Sequence, residues 1–476
     1  MGVISVMESV DWLVGGTVIT MDADRRIILD GAVAVSDGRI VAVDKAANLR
    51  ERYEAARTLG GPRRFVIPGL IDCHNHVAQA LVREHALEDY PNIYRVYIPA
   101  EDILGDDGIR ISTRVAAAQL LRAGVTTLTE TTCTRAHEDP IAETIMDVGM
   151  RSAIAVGQGD RSSRLAGNYE QIDGRSEYHD DPGLRREHLA ATEDFLRRWT
   201  DRGEGRVRPW IHNLGVPSCS DEMYLEAMEL AEKHDTGVMT HINRDREEIE
   251  LSFSLFGERP LEHLSTVGAL GPRLVAIHAM LTTDREIRLL AESGAGIAHA
   301  PVVCTDIVSA VTKVVTMRAF GVRVGLGCDT VINDILKVMR IAFIMHTQAT
   351  GIPLYDPISF TTEDAFAMGT IDAARLLRWE SEIGSLEVGK AADVTVIDGN
   401  NVRLFPSTNP IGTLVRYGVG TDAESVLVAG RLVVDNGELL TIDEGELLEE
   451  ADQLSARLGK ELEPRRYRRL VSGTLV

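Results

Sequence analysis

Two patterns of apolar and polar positions divide this chain. Near the N-terminus, short apolar runs at Trp12–Val14, Val18–Met21, Ala32–Val35 and Ile40–Val43 are separated by Gly15–Gly16 and Asp37–Gly38. Short strands cut by Gly-rich and Asp-Gly turns are the signature of a β-meander. The same texture returns at Ala392–Gly399 and Ser425–Val434. Between them, strand-like runs (Gly124–Thr129, Val238–His241, Leu274–His278, Gly296–His299, Val322–Asp329) alternate with longer helical stretches. That alternation is what βα units require, so the fold class is α/β. The pattern divides the chain into residues 1–66 plus 392–445 as one composite β-sandwich domain, 67–391 as the βα-repeat domain, and 446–476 as a helical or extended tail. Neither β-rich end has enough strands to be stable alone, so the two are expected to pair.

The length of 476 residues suits a large domain with an accessory one, and 44% hydrophobic with 26% charged residues is ordinary for a soluble enzyme. A net charge of −22 argues against nucleic acid or an anionic membrane as partner and otherwise reads as a solvated surface. No apolar run reaches the roughly 20 residues that span a bilayer, and the N-terminus has no secretory pattern. The five cysteines (Cys73, Cys133, Cys219, Cys304, Cys328) are scattered, which suits reduced thiols in a cytoplasmic protein. The tail's Arg465, Arg466, Arg468 and Arg469 read as a solvated or subunit-contacting cluster.

Candidate chemistry is concentrated at Val66–His76, where an apolar run ends in His74 and His76. Side chains at i and i+2 of a strand share a face, so both imidazoles can converge beyond its end. Neutral imidazole is the commonest metal ligand. Later strand-like runs end in His241, His278 and Asp329. Val66–His76 resembles the first barrel strand of the amidohydrolase superfamily, and Glu382–Val394 resembles that superfamily's return into its sandwich. The resemblance implies a (β/α)8 TIM barrel with its site at the C-terminal ends of the strands. It further implies that His74, His76, His241 and Asp329 bind a metal, with His278 beside a bound water. Three imidazoles and a carboxylate suit Zn²⁺, and the same donors accept Co²⁺, Mn²⁺ or Fe²⁺. The implied catalytic groups are Asp329, taking a proton from the water, and His278, polarising the scissile group or protonating the leaving nitrogen. Two-metal members bridge their ions with a carboxylated lysine of the fourth strand. No lysine lies between Thr134 and Glu232, and Lys233 falls in a helix-like stretch, so one divalent metal per chain is expected.

Gly124–Thr127, His299–Pro301 and Gly327–Asp329 resemble the branch holding chlorotriazine hydrolases, guanine deaminases and adenosylhomocysteine deaminases. In those deaminases a glutamate follows the fifth-strand histidine by three residues and shuttles protons; Arg244 stands there in this chain. Arginine stays protonated near neutral pH and can clamp an oxygen but not shuttle. Asn243 with Arg244 resembles the phenylurea (diuron) and molinate hydrolase type. The function expected on that basis is hydrolysis of a urea, carbamate or amide small molecule, such as a phenylurea or thiocarbamate. The alternative is an aminohydrolase or dechlorinase of a purine, pterin or triazine ring. Arg244 as a salt-bridged or outward-facing residue, and Glu247 or Glu248 as the replacement acid, stay open. Glu130 and His299 join Asn243 and Arg244 as substrate-binding candidates, with His212, Asn213, Gln79 and His85 as softer ones. A scaffold protein that had kept only the fold would usually have lost ligands, and all four are present. A homo-oligomer acting on a small molecule is expected.

Overall fold

The computed structural model describes residues 7–86, 96–133, 137–162, 179–305 and 310–462. Its centre is a sheet of eight parallel strands in chain order. They are numbered here β1 (Leu70–Asn75), β2 (Val125–Thr131), β3 (Arg151–Gln158), β4 (Val207–Asn213), β5 (Val238–Ile242), β6 (Leu274–His278), β7 (Gly296–His299) and β8 (Arg323–Leu326). Every residue of β1, β2, β3, β5, β6 and β7 is buried, as strands covered on both faces must be.

The sheet rolls into a nearly closed TIM-like barrel. Ile71, Ala153, Ala155, Trp210, Met239, Val275, Ile277 and Ala298 pack together inside it. Trp379 belongs to the same cluster, and the guanidinium groups of Arg151 and Arg208 lie 5.4 and 4.3 Å from its ring centre. Because Arg151 and Arg208 sit at the N-terminal ends of β3 and β4, this packing fills the lower end of the barrel. Only the upper, C-terminal end is left for chemistry.

The two chain ends build a second sheet of eight strands. Its order is Glu438–Leu439, Arg431–Asp435, Ala423–Val428, Val394–Asp398, Tyr53–Pro68, Glu8–Ile19, Ile27–Ser36 and Arg39–Lys45. The ends meet where Val394–Asp398 pairs antiparallel with Tyr53–Pro68. Trp12, Val33, Val66, Val394, Val396 and Leu427 share one core, and Trp12 Nε1 donates to Gly430 O across 418 residues of chain at 3.0 Å. The helix Glu444–Leu462 is tied to the helix Ile98–Arg122 by the ion pairs Arg114–Glu450 and Arg122–Glu444. The arginine cluster of the tail lies outside the described residues. Among those residues the five cysteines are free, and no helix is long and apolar enough to cross a membrane.

Barrel and second sheet are joined by a buried ion pair. Arg151 Nε and Nη2 donate to Asp393 at 2.8 and 3.1 Å, and the two side chains are only 4% and 2% exposed. Asp393 Oδ1 also accepts the Ala429 N–H at 2.7 Å. Removing one partner of such a pair strands a buried charge. Arg151→Met is therefore expected to cost about 3–5 kcal/mol in denaturant unfolding. A loss below about 1 kcal/mol would show that the junction does not depend on this pair.

Candidate metal centre

The site is built from the upper ends of β1, β2, β5 and β6 and the turn after β8. Simple alternation along the strands does not produce it. The register between β1 and β2 shifts between Asp72 and Asn75, an irregularity of the kind that re-aims side chains. Ile277 already faces the barrel interior, so a straight continuation of β6 would send His278 outward. His278 instead takes a left-handed φ of 69°, followed by Ala279 at 45°, while Asn243 and Asp329 have φ of 50° and 56°. Left-handed non-glycine residues cost about 1–3 kcal/mol each and persist where the surrounding fold imposes them.

These turns bring His74, His76, His241, His278 and Asp329 together. One ligand-type atom from each of His74, His76 and His241 falls within 4.8 Å of the others, and the same holds for His74, His278 and Asp329. His74 Nε2 is 3.2 Å from Asp329 Oδ2, and His278 Nε2 is 3.7 Å from the same oxygen. Burial, reinforced by the neighbouring imidazoles, pushes His76 down to about 4 and His241 and His278 well below the ordinary histidine range. Burial alone would raise the Asp329 carboxyl; the adjoining His74 reverses this and holds it well below the usual carboxylate range. Neutral imidazoles and an ionised carboxylate are the forms that donate to a metal, so the residues fit a divalent ion.

Hydrogen-bond acceptors fix which nitrogens are offered. The Thr132 carbonyl can only accept, and it lies 2.9 Å from His212 Nδ1, so that nitrogen carries the hydrogen. Burial pushes His212 down to about 3, leaving its Nε2 a bare acceptor, and His241 Nδ1 donates to it at 2.8 Å. His241 Nε2 therefore keeps its lone pair. By the same reasoning the Thr131 carbonyl, 2.7 Å from His76 Nδ1, leaves His76 Nε2 free. Outer hydrogen bonds of this kind hold metal-ligating imidazoles in orientation and tautomer. Nothing in the sequence marks Thr131 and Thr132 for this task, because they act through backbone carbonyls.

The remaining candidates are placed as follows. Glu130 Oε2 accepts the Val77 N–H at 2.6 Å, which anchors the turn after His76, and burial pushes its carboxyl well up. Asn243 Nδ2 donates to Glu286 at 2.8 Å. Arg244 directs Nε at Asp245, 2.7 Å away. Glu248 accepts the Arg244 N–H at 2.8 Å, and burial with Asp245 nearby pushes it up to about 8. His299 Nε2 faces His346 Nε2 at 3.0 Å, and its buried Nδ1 has no partner among the described residues. Asn213 accepts from Gln158 at 2.8 Å, Gln79 donates to Glu101, and His85 faces Ser455 at 3.5 Å.

Two outcomes are expected. His212→Phe leaves the His241 Nδ1–H without an acceptor and should weaken metal affinity about 10–100-fold, read by chelator competition; unchanged affinity would exclude the tautomer role. With His76 held down near 4 and His241 well below the ordinary histidine range, protons compete for these two donors only at strongly acidic pH. Metal content after dialysis should therefore hold from neutrality to pH about 5 and fall below about 4. Loss already near pH about 6.5, the free-histidine value, would contradict the neutral cluster.

The amidohydrolase family model matches residues 65–437, and a bacterial imidazolonepropionase-like composite domain matches residues 31–53. A 5-methylthioadenosine/S-adenosylhomocysteine deaminase of Syntrophobacter fumaroxidans is 32% identical over 92% of this chain and 95% of its own. A 5′-deoxyadenosine deaminase of Methanopyrus kandleri is 29% identical over 94% of this chain and 98% of its own. The fold matches a zinc-bound adenosine deaminase from Xanthomonas campestris with a TM-score of 0.86 at 24% identity, covering 96% of this chain and all of the other. These relatives overturn the urea, carbamate or amide substrate expected from Asn243 and Arg244, and give the phenylurea and molinate hydrolase type no support. The physical reason is local: Asn243 turns its amide to Glu286 and Arg244 points Nε at Asp245, so the pair makes a poor marker of substrate. The chain belongs to the amidohydrolase family and is a hydrolase of carbon–nitrogen bonds other than peptide bonds.

Proposed function

We propose that this protein is an aminohydrolase that removes the ring amino group of an adenosine altered at its 5′ carbon, releasing ammonia. The observation that carries the reading is near-full-length similarity to deaminases whose names specify 5′-methylthio, 5′-homocysteinyl and 5′-deoxy adenosines. The buried cluster of donors supports it, because replacing a ring amine by oxygen is a hydrolysis.

His74, His76, His241 and Asp329 would hold one divalent metal, Zn²⁺ being favoured by the donor set. When bound, the metal supplies Lewis acidity that makes a water nucleophilic near neutral pH. Water adds at the ring carbon bearing the amine, the carbon–nitrogen bond breaks, and the nitrogen leaves as ammonia. Asp329 is the ionised base, and its Oδ2 holds the proton taken from the water. His278, kept neutral by burial and 3.7 Å from that oxygen, is the nearest partner for moving the proton toward the departing nitrogen. Arg244 stays protonated, so the transfers that other deaminases assign to a glutamate fall here to the Asp329–His278 pair.

Metal-loaded enzyme is expected to release ammonia from 5′-methylthioadenosine, S-adenosylhomocysteine or 5′-deoxyadenosine with kcat/KM in the usual range of about 10⁴–10⁸ M⁻¹ s⁻¹ for at least one. Asp329→Asn should lower kcat by about 10²–10⁴-fold. Elemental analysis should return close to one metal per chain, since β4 contributes no lysine to bridge a second. No ammonia from any of the three substrates would exclude the reading.

A further inference from the structure

The barrel has one weak place. Seven neighbouring strand pairs are joined by ladders, but among the described residues none joins β8 to β1. That seam separates the strand carrying His74, with His76 just beyond its end, from the turn carrying Asp329. Two glycines let the strands approach: a Cβ at Gly327 would meet His74 Cβ at 2.8 Å, and one at Gly325 would meet Cys73 Sγ at 2.5 Å.

Among the described residues a backbone bond, the carboxylate of Asp72 and an amide–amide bond from Asn75 span the upper seam. Asp329 N donates to His74 O at 2.8 Å. Asp72 is completely buried. Its Oδ1 accepts the N–H of Cys328 at 2.9 Å and the N–H of His74 at 3.2 Å. Its Oδ2 accepts Asn75 Nδ2 at 2.7 Å. Asn75 Nδ2 in turn reaches Asn333 Oδ1 at 2.9 Å, beyond Asp329 in the chain, and Asn333 Nδ2 donates to Gln119 at 2.9 Å. A single carboxylate thus grips the backbone of a ligand on one side of the seam and the residue before a ligand on the other.

We infer that Asp72 is a positioning residue of the metal centre: its carboxylate clips β1 to the turn after β8 and so sets the spacing between His74 and Asp329. An apolar contact could hold the strands together, but it could not fix their register. Two N–H groups converging on one oxygen can, because hydrogen bonds weaken steeply with distance and angle. The inference rests on the ligand set proposed above and is independent of the substrate.

The test is metal affinity rather than turnover, measured with Zn²⁺ by chelator competition at a temperature where the metal-free proteins are folded by circular dichroism. Asp72→Asn keeps an oxygen for the two N–H groups but confronts the Asn75 amide donor with a second amide. Its affinity should fall about 10–100-fold, the range for ligand-orienting partners. Asn75→Ala removes the bond that orients Oδ2 and should fall in the same direction by a smaller factor, and it decides the matter if Asp72→Asn does not fold. Arg151→Met provides the contrast: lowered stability of the metal-free protein with Zn²⁺ affinity within about twofold of the unaltered chain. Zn²⁺ affinity within twofold of the unaltered chain in Asp72→Asn, or in Asn75→Ala if that is the variant that folds, overturns the inference. Failure of the unaltered chain to bind Zn²⁺ would instead overturn the ligand set.

Discussion

His74 and Asp329 lie 255 residues apart in the chain and 3.2 Å apart in space, and the site depends on that approach. A ring of parallel strands can deliver it, because every strand presents its C-terminal end at the same rim. The rest of the molecule serves that geometry. Trp210, Met239, Val275, Ile277 and Trp379 fill the interior below the site, so the strands cannot collapse inward. The second sheet holds the chain ends together and is locked to the barrel through Arg151 and Asp393.

Burial does the electrostatic work. It disfavours the charged form of an imidazole, so packing His76, His212, His241 and His278 into a buried cluster yields a set of lone pairs. Carbonyls at the end of β2 then decide where those lone pairs point, directly for His76 and through His212 for His241. One ionised carboxylate completes a pocket suited to a divalent cation. The left-handed turns at His278 and Asp329 are part of the same construction, with backbone strain accepted in exchange for side-chain direction.

Arg244 shows how weakly one position can speak for a substrate. Its identity at the place of a shuttle glutamate invites a different reaction. Yet the similarity to a deaminase runs along nine-tenths of the chain, and in the structure the guanidinium is engaged with Asp245 beside it. What Arg244 does exclude is proton transfer through its own side chain.

Much of this architecture was legible in the linear order of residues. Short apolar runs marked the strands, helical intervals implied parallel pairing, and histidines or aspartate closing apolar runs marked the rim. Those signals are local: each depends on residues within a few positions of one another. The tautomer of His241, the turning-in of His278 and the clip made by Asp72 carry no such signal. Each is set by contacts between strands whose register, twist and closure exist only once the barrel forms. The sequence by itself determined which side chains would stand at the rim, and the tertiary structure alone decided which nitrogen His76 and His241 would offer, because that choice belongs to carbonyls and an imidazole brought in from other strands.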